Sequence, residues 1–105
     1  MILTDLAILK AMEEGDILVE PYNRDCLGTN SYDVHLSKYL ACYIDDVIDA
    51  KKHNQVEHFE IADDGIVLQP GKTYLGSTLE YTETRSFVPF LEGKSSVGRL
   101  GIDIH

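Results

Sequence analysis

The chain has 105 residues, enough for one small domain, and sets 18 Asp and Glu against 9 Lys and Arg for a formal net charge of -9. A field of that sign repels polyanions and excludes general binding to DNA or RNA, because such affinity comes from basic surface that neutralises phosphates. A small anionic ligand, which needs only a few local cations, stays open.

In the stretch TDLAILKAMEEG, Thr4 supplies an N-cap, Asp5 an acid in the first turn, and Leu6, Ile8, Leu9 and Met12 an apolar stripe, while Gly15 offers a left-handed stop. This predicts a short amphipathic helix, the only substantial one. Beyond it the apolar period changes to two. In NSYDVHLS, Tyr32, Val34 and Leu36 alternate with Asp33 and His35, as a strand with one buried face requires. LACYI, VEHFEI, GIVLQ, TYLGSTLEYTE and FVPFLE follow as predicted strands, separated by turn clusters such as DDG and PGK. Pro89 cannot donate to a ladder, so its strand belongs at an edge or a bulge. The closing LGIDIH reads as a strand with Ile102 and Ile104 on one face. Many short strands at close spacing predict an all-β sandwich or barrel, one domain over residues 1–105.

No stretch reads as a signal peptide or a membrane span. Cys26 and Cys42 stand in no CxxC spacing and are expected to be reduced thiols of a cytoplasmic protein. PGKT invites a P-loop reading, but five residues rather than four separate Gly65 from Gly71 and a β-rich segment follows, so QPGKT is expected to be a turn entering a strand. His35, His53, His58 and His105 have neither helical i, i+4 spacing nor cysteine partners at zinc-finger distance, and no zinc site is expected. The acids of DDVID and ADDG read as solvated turn residues.

LEGKSSVGRLGIDIH carries the chemistry. Gly93 permits close backbone approach, Lys94 brings a point charge, Ser95 and Ser96 bring hydroxyl and backbone donors, and Arg99 brings a planar fork suited to phosphate oxygens. If SSVGRL forms one helical turn, Ser95 and Arg99 share a face near a helix N-terminus, which also favours anions. On spacing alone the same residues also read as a serine-rich helix cap followed by a solvated arginine.

The same segment resembles the phosphate-binding motif of the dCTP deaminases and their trimeric dUTPase relatives. TNSYDVHL is similar to that family's early Ser-Tyr-Asp strand, and PGKTYLGSTLEYTE to the strand pair leading into the phosphate loop. LTDLAILKAMEEGDILVEPY resembles the N-terminal helix and strand of the deaminase branch. The resemblance implies a distorted β-barrel or β-clip of dUTPase type with one short N-terminal helix, incomplete in this chain. It also implies a triphosphate held by Lys94, Ser95, Ser96, Val97, Gly98 and Arg99, with Mg2+ bound to that triphosphate and no zinc.

What the family implies further is water addition at C4 of the cytosine of dCTP, loss of ammonia to give dUTP, and homotrimers with active sites between subunits. Its general-base glutamate falls beyond the position of His105, so the 105 residues are expected to be a truncated, inactive portion. Glu92, the acid nearest the cradle, is expected to be structural. The alternatives are a dUTPase, a bifunctional enzyme that proceeds to dUMP, or a short protein that binds nucleotide without turning it over. The coding sequence past His105 discriminates among them.

Overall fold

The computed structural model describes residues 1–105. Helix α1 spans Asp5–Glu13, and Thr4 caps it as its residue type predicts: the backbone there is extended and the Thr4 hydroxyl accepts from the Ala7 N–H at 3.4 Å. The Asp5 N–H donates to the Thr29 carbonyl at 2.9 Å, which ties the helix start to the loop after residue 27. Gly15 adopts φ +81°, a left-handed conformation that costs other residues energy, and lets the chain turn straight into β1 (Ile17–Glu20).

Strand β1 pairs antiparallel with β5 (Tyr81–Thr84), Val19 standing opposite Thr82. The second sheet has β2 (Leu36–Tyr43) at its centre, between β3 (Val56–Glu60) and β4 (Leu75–Thr78), all antiparallel. A register shift between Leu36 and Leu40 bends β2 where it crosses β4. Gly76 sits at that crossing. A Cβ added there would stand 3.0 Å from Leu36 Cδ1 and 3.1 Å from Leu40 Cδ2, so the two leucine side chains pack into the space that the glycine leaves. A single turn, α2 (Ser95–Gly98), follows a long unpaired stretch. The chain is therefore β-rich with one N-terminal helix of any length, and its two sheets do not close into a barrel.

Four predicted strands came out differently, each for a local reason. The ladder of NSYDVHLS starts only at Leu36, because the His35 N–H is taken by the Glu80 carboxylate and the Asp33 N–H by the Cys26 carbonyl. GIVLQ wraps as a loop, with the Gln69 N–H donating to the Tyr74 hydroxyl at 3.0 Å. FVPFLE and LGIDIH find no strand to pair with, and Val88, Phe90 and Leu100 face solvent. The turn at PGK is present, with Gly71 at φ +76° and the Lys72 N–H bonded to Gln69 O. Both cysteines are unpaired, Cys42 buried and Cys26 half-buried. No helix is long and apolar enough to cross a membrane.

The core is thin. Ala11, Val19, Leu27, Leu40, Ala41 and Cys42 are its buried apolar members, and no side chain is completely enclosed. The radius of gyration, 16.4 Å, exceeds the value of about 13 Å typical of a compact domain of this length. Residues as large as Leu36, Tyr39, Val67 and Phe90 remain open to water. Apolar surface and unpaired strand edges of this kind favour association. The 105-residue polypeptide on its own is expected to elute from size exclusion as oligomers or aggregates. A monodisperse monomer with a cooperative thermal transition would contradict this.

Candidate functional site

The loop from Gly93 to Arg99 is the element that the sequence singles out. Its backbone turns once: the Gly98 N–H donates to Lys94 O at 2.9 Å and the Arg99 N–H to Ser95 O at 3.0 Å, closing the helical turn that puts Ser95 and Arg99 four residues apart on it. Lys94 occupies the N-cap position, and no side chain caps the turn. The serines are therefore not spent as helix caps. The Ser95 and Ser96 hydroxyls and the Arg99 guanidinium make no hydrogen bond or ion pair within the chain, and all three residues are exposed. Val97 is half-buried and Gly98 exposed, so together they form the turn itself.

Lys94 is differently placed. Its Nζ lies 2.7 Å from Asp33 Oδ2, across 61 positions of sequence. An ammonium carries three donors, and this pair uses one of them, leaving the others for a ligand. The two motifs NSYDV and EGKSS thus meet in space, which periodicity and spacing gave no means of seeing.

A second polar cluster lies where residues 32–35 run beside the segment between β4 and β5. Glu80 is 4% exposed and is the one buried charged residue. Its carboxylate accepts from the His35 backbone N–H at 2.7 and 3.0 Å and faces His35 Nδ1 at 3.2 and 3.3 Å. Burial pushes the Glu80 carboxyl up, but the His35 N–H and the imidazole together outweigh it and hold the group below the ordinary carboxylate value.

Next to it Tyr22 and Tyr32 stack with ring centroids 5.8 Å apart, and the Tyr32 hydroxyl accepts from the Asn23 N–H at 2.9 Å. Burial, partly offset by that hydrogen bond, raises the Tyr32 hydroxyl above its usual value. These rings, with Pro21, Arg24, His35 and Glu80, line an open cavity of about 480 Å³. In the sequence, Glu80 reads as one more polar residue of an alternating strand, so no pattern marked it as buried. Glu92 makes no ion pair or side-chain hydrogen bond.

A protein-family model described as dCTP deaminase-like matches residues 2–105. The dUMP-forming dCTP deaminase of Clostridium acetobutylicum is 51% identical over 90 residues, 86% of this chain and 52% of that protein. Those of Leptospira biflexa and Cytophaga hutchinsonii are 47% and 45% identical over the whole chain, which is 60% of each of those proteins. The chain thus spans about half to three-fifths of the length of the curated relatives it matches. With a match that runs from residue 2 to residue 105 and identities near one half, this chain belongs to the dCTP deaminase-like family.

Proposed function

We propose that the complete protein deaminates dCTP and carries the product on to dUMP, with residues 94–99 holding the triphosphate. The observation that carries the binding site is the set of uncommitted donors on one turn. Two serine hydroxyls and a guanidinium stand together without an internal partner, in a chain whose net charge of -9 offers many carboxylates. Such a set fits phosphate oxygens, bound by a planar fork and neutral donors.

The turn brings two cationic side chains, Lys94 and Arg99, and no cluster of carboxylates, a charge balance that suits phosphate oxygens rather than a bare hard cation. Magnesium is therefore proposed to arrive on the triphosphate as part of the substrate. Holding the distal phosphates fixes the cytosine for attack, converting an encounter into a positioned reaction. Assembly into homotrimers with sites between subunits belongs to the same proposal, and the exposed apolar surface is in keeping with association of the chain.

The second step rests on the relatives, which are named dUMP-forming. Of the product readings the sequence leaves open, theirs is the bifunctional one. Overall, dCTP and two waters would give dUMP, pyrophosphate and ammonia. Product analysis of the complete protein supplied with dCTP and magnesium is expected to show dUMP and pyrophosphate rising together with ammonia. Stoichiometric accumulation of dUTP would refute the second step and leave deamination alone, whereas absence of ammonia would refute the deaminase reading.

A further inference from the structure

Residues 87–105 fold mostly on themselves. Every backbone hydrogen bond they make outside regular strands stays within the segment, and Ile104 packs against Gly93, where an added Cβ would meet Ile104 Cβ at 3.4 Å. One polar contact joins the segment to the rest of the chain, the 2.7 Å pair between Lys94 Nζ and Asp33 Oδ2. Asp33 itself stands on a fixed frame. Its N–H donates to the Cys26 carbonyl at 2.8 Å, and its neighbour Tyr32 bridges Leu27 and stacks on Tyr22.

We propose that Asp33 is a positioning residue for the phosphate loop: by fixing Lys94 it holds residues 93–99 at one place on the protein, ready for the triphosphate. The proposal rests on the triphosphate reading given above and adds to it a residue outside the loop. With side chains 61% and 46% exposed, Lys94 and Asp33 form a solvent-screened pair, which adds little to global stability. Its effect is local. A loop tethered at its N-cap loses less freedom when ligand binds, so the tether lowers the ordering cost of binding.

The test uses the complete, assembled protein. Asp33→Asn is expected to raise KM for dCTP about twofold to fivefold, the range of an exposed ion pair, with kcat changed less than KM. Asp33→Glu, which keeps the charge, is expected to recover most of the loss. In a double-mutant cycle the cost of Asp33→Asn should vanish in a Lys94→Gln background, because Asp33 acts through Lys94.

Hydrogen exchange of the nucleotide-free protein supplies a readout independent of phosphate binding: amides of residues 95–101 should exchange faster in either single variant. Lys94→Gln removes the pair from the loop side, so the exchange comparison survives if an Asp33 variant fails to accumulate. Additive KM effects in the cycle, unchanged exchange, or a KM that falls when Asp33 is neutralised would each overturn the proposal. The last of these would mean that Asp33 competes with phosphate for Lys94. If Arg99→Ala leaves KM unchanged while exchange still rises in the Asp33 and Lys94 variants, the positioning role stands and the triphosphate reading fails.

Discussion

Replacing Arg99 by alanine is expected to raise KM for dCTP roughly tenfold to a hundredfold in the complete protein, while Lys72→Ala stays close to wild type. A hydrogen bond to a charged group contributes on the order of 1.5–3 kcal/mol, and the factor follows from losing one such contact. The contrast with Lys72 comes from placement. Arg99 ends the single turn that carries Ser95 and Ser96 and has no acidic partner. Lys72 follows the Gly71 turn with its Nζ 5.6 Å from the centre of the Tyr74 ring, in another loop. Ser95→Ala should act in the same direction as Arg99→Ala but less strongly, since a neutral hydroxyl contributes less than a guanidinium. Both losses should shrink when binding of dCMP is measured, because the distal phosphates are gone. Steady-state kinetics with dCTP and competition by dCMP decide the matter. Equal losses for Lys72→Ala and Arg99→Ala would place the phosphate site in the wrong loop.

The parts of the fold that were legible in the sequence are those set by local chemistry. Thr4, Asp5 and Gly15 mark the ends of α1 because capping and left-handed turns depend on single residue types. The β-rich class follows from alternation, and the helical turn that SSVGRL can form is present at Ser95–Gly98. What alternation could not show is which strand finds a partner. FVPFLE has the composition of a strand but remains unpaired, and in the central strand β2 the apolar run Leu40, Ala41, Cys42 is buried without alternation, so side chains on both faces are covered there. The polar contacts were illegible for the same reason. Lys94 with Asp33 and Glu80 with His35 are separated by 61 and 45 positions, and only the fold brings them together. The family resemblance pointed to residues 94–99 as the candidate phosphate motif, but it gave no sign that Lys94 is already paired with Asp33.

Glu80 is expected to matter more to stability than any other charged residue of the chain. Its carboxylate is buried and receives the His35 backbone N–H, so Glu80→Ala strands that donor and removes the acceptor of the loop that precedes β2. The cost should be about 2–3 kcal/mol, the range for a hydrogen bond to a charged group plus an unsatisfied partner. Little of it belongs to the imidazole, whose side chain is 61% exposed and therefore screened. Glu80→Gln keeps one acceptor and should lose roughly half as much, on the order of 1 kcal/mol.

The sign of the pH dependence follows from the depressed carboxyl. Folding favours the ionised form, so its contribution is complete above the ordinary carboxylate value of 4.5 and is lost as pH falls through the lower value of the folded state. The gap in thermal midpoint between wild type and Glu80→Gln should therefore hold constant from pH 7 to about pH 5 and narrow below that. Other carboxylates titrate in the same window, which is why the difference between the two proteins is the quantity to follow. Thermal unfolding of the complete protein and both variants, at steps of pH from 7 to 3, measures it. A Glu80→Ala midpoint equal to wild type at pH 7 would mean that water replaces the carboxylate at His35. A gap that widens under acid would mean that the folded carboxyl lies above its ordinary value and that burial, not the His35 N–H, dominates the site.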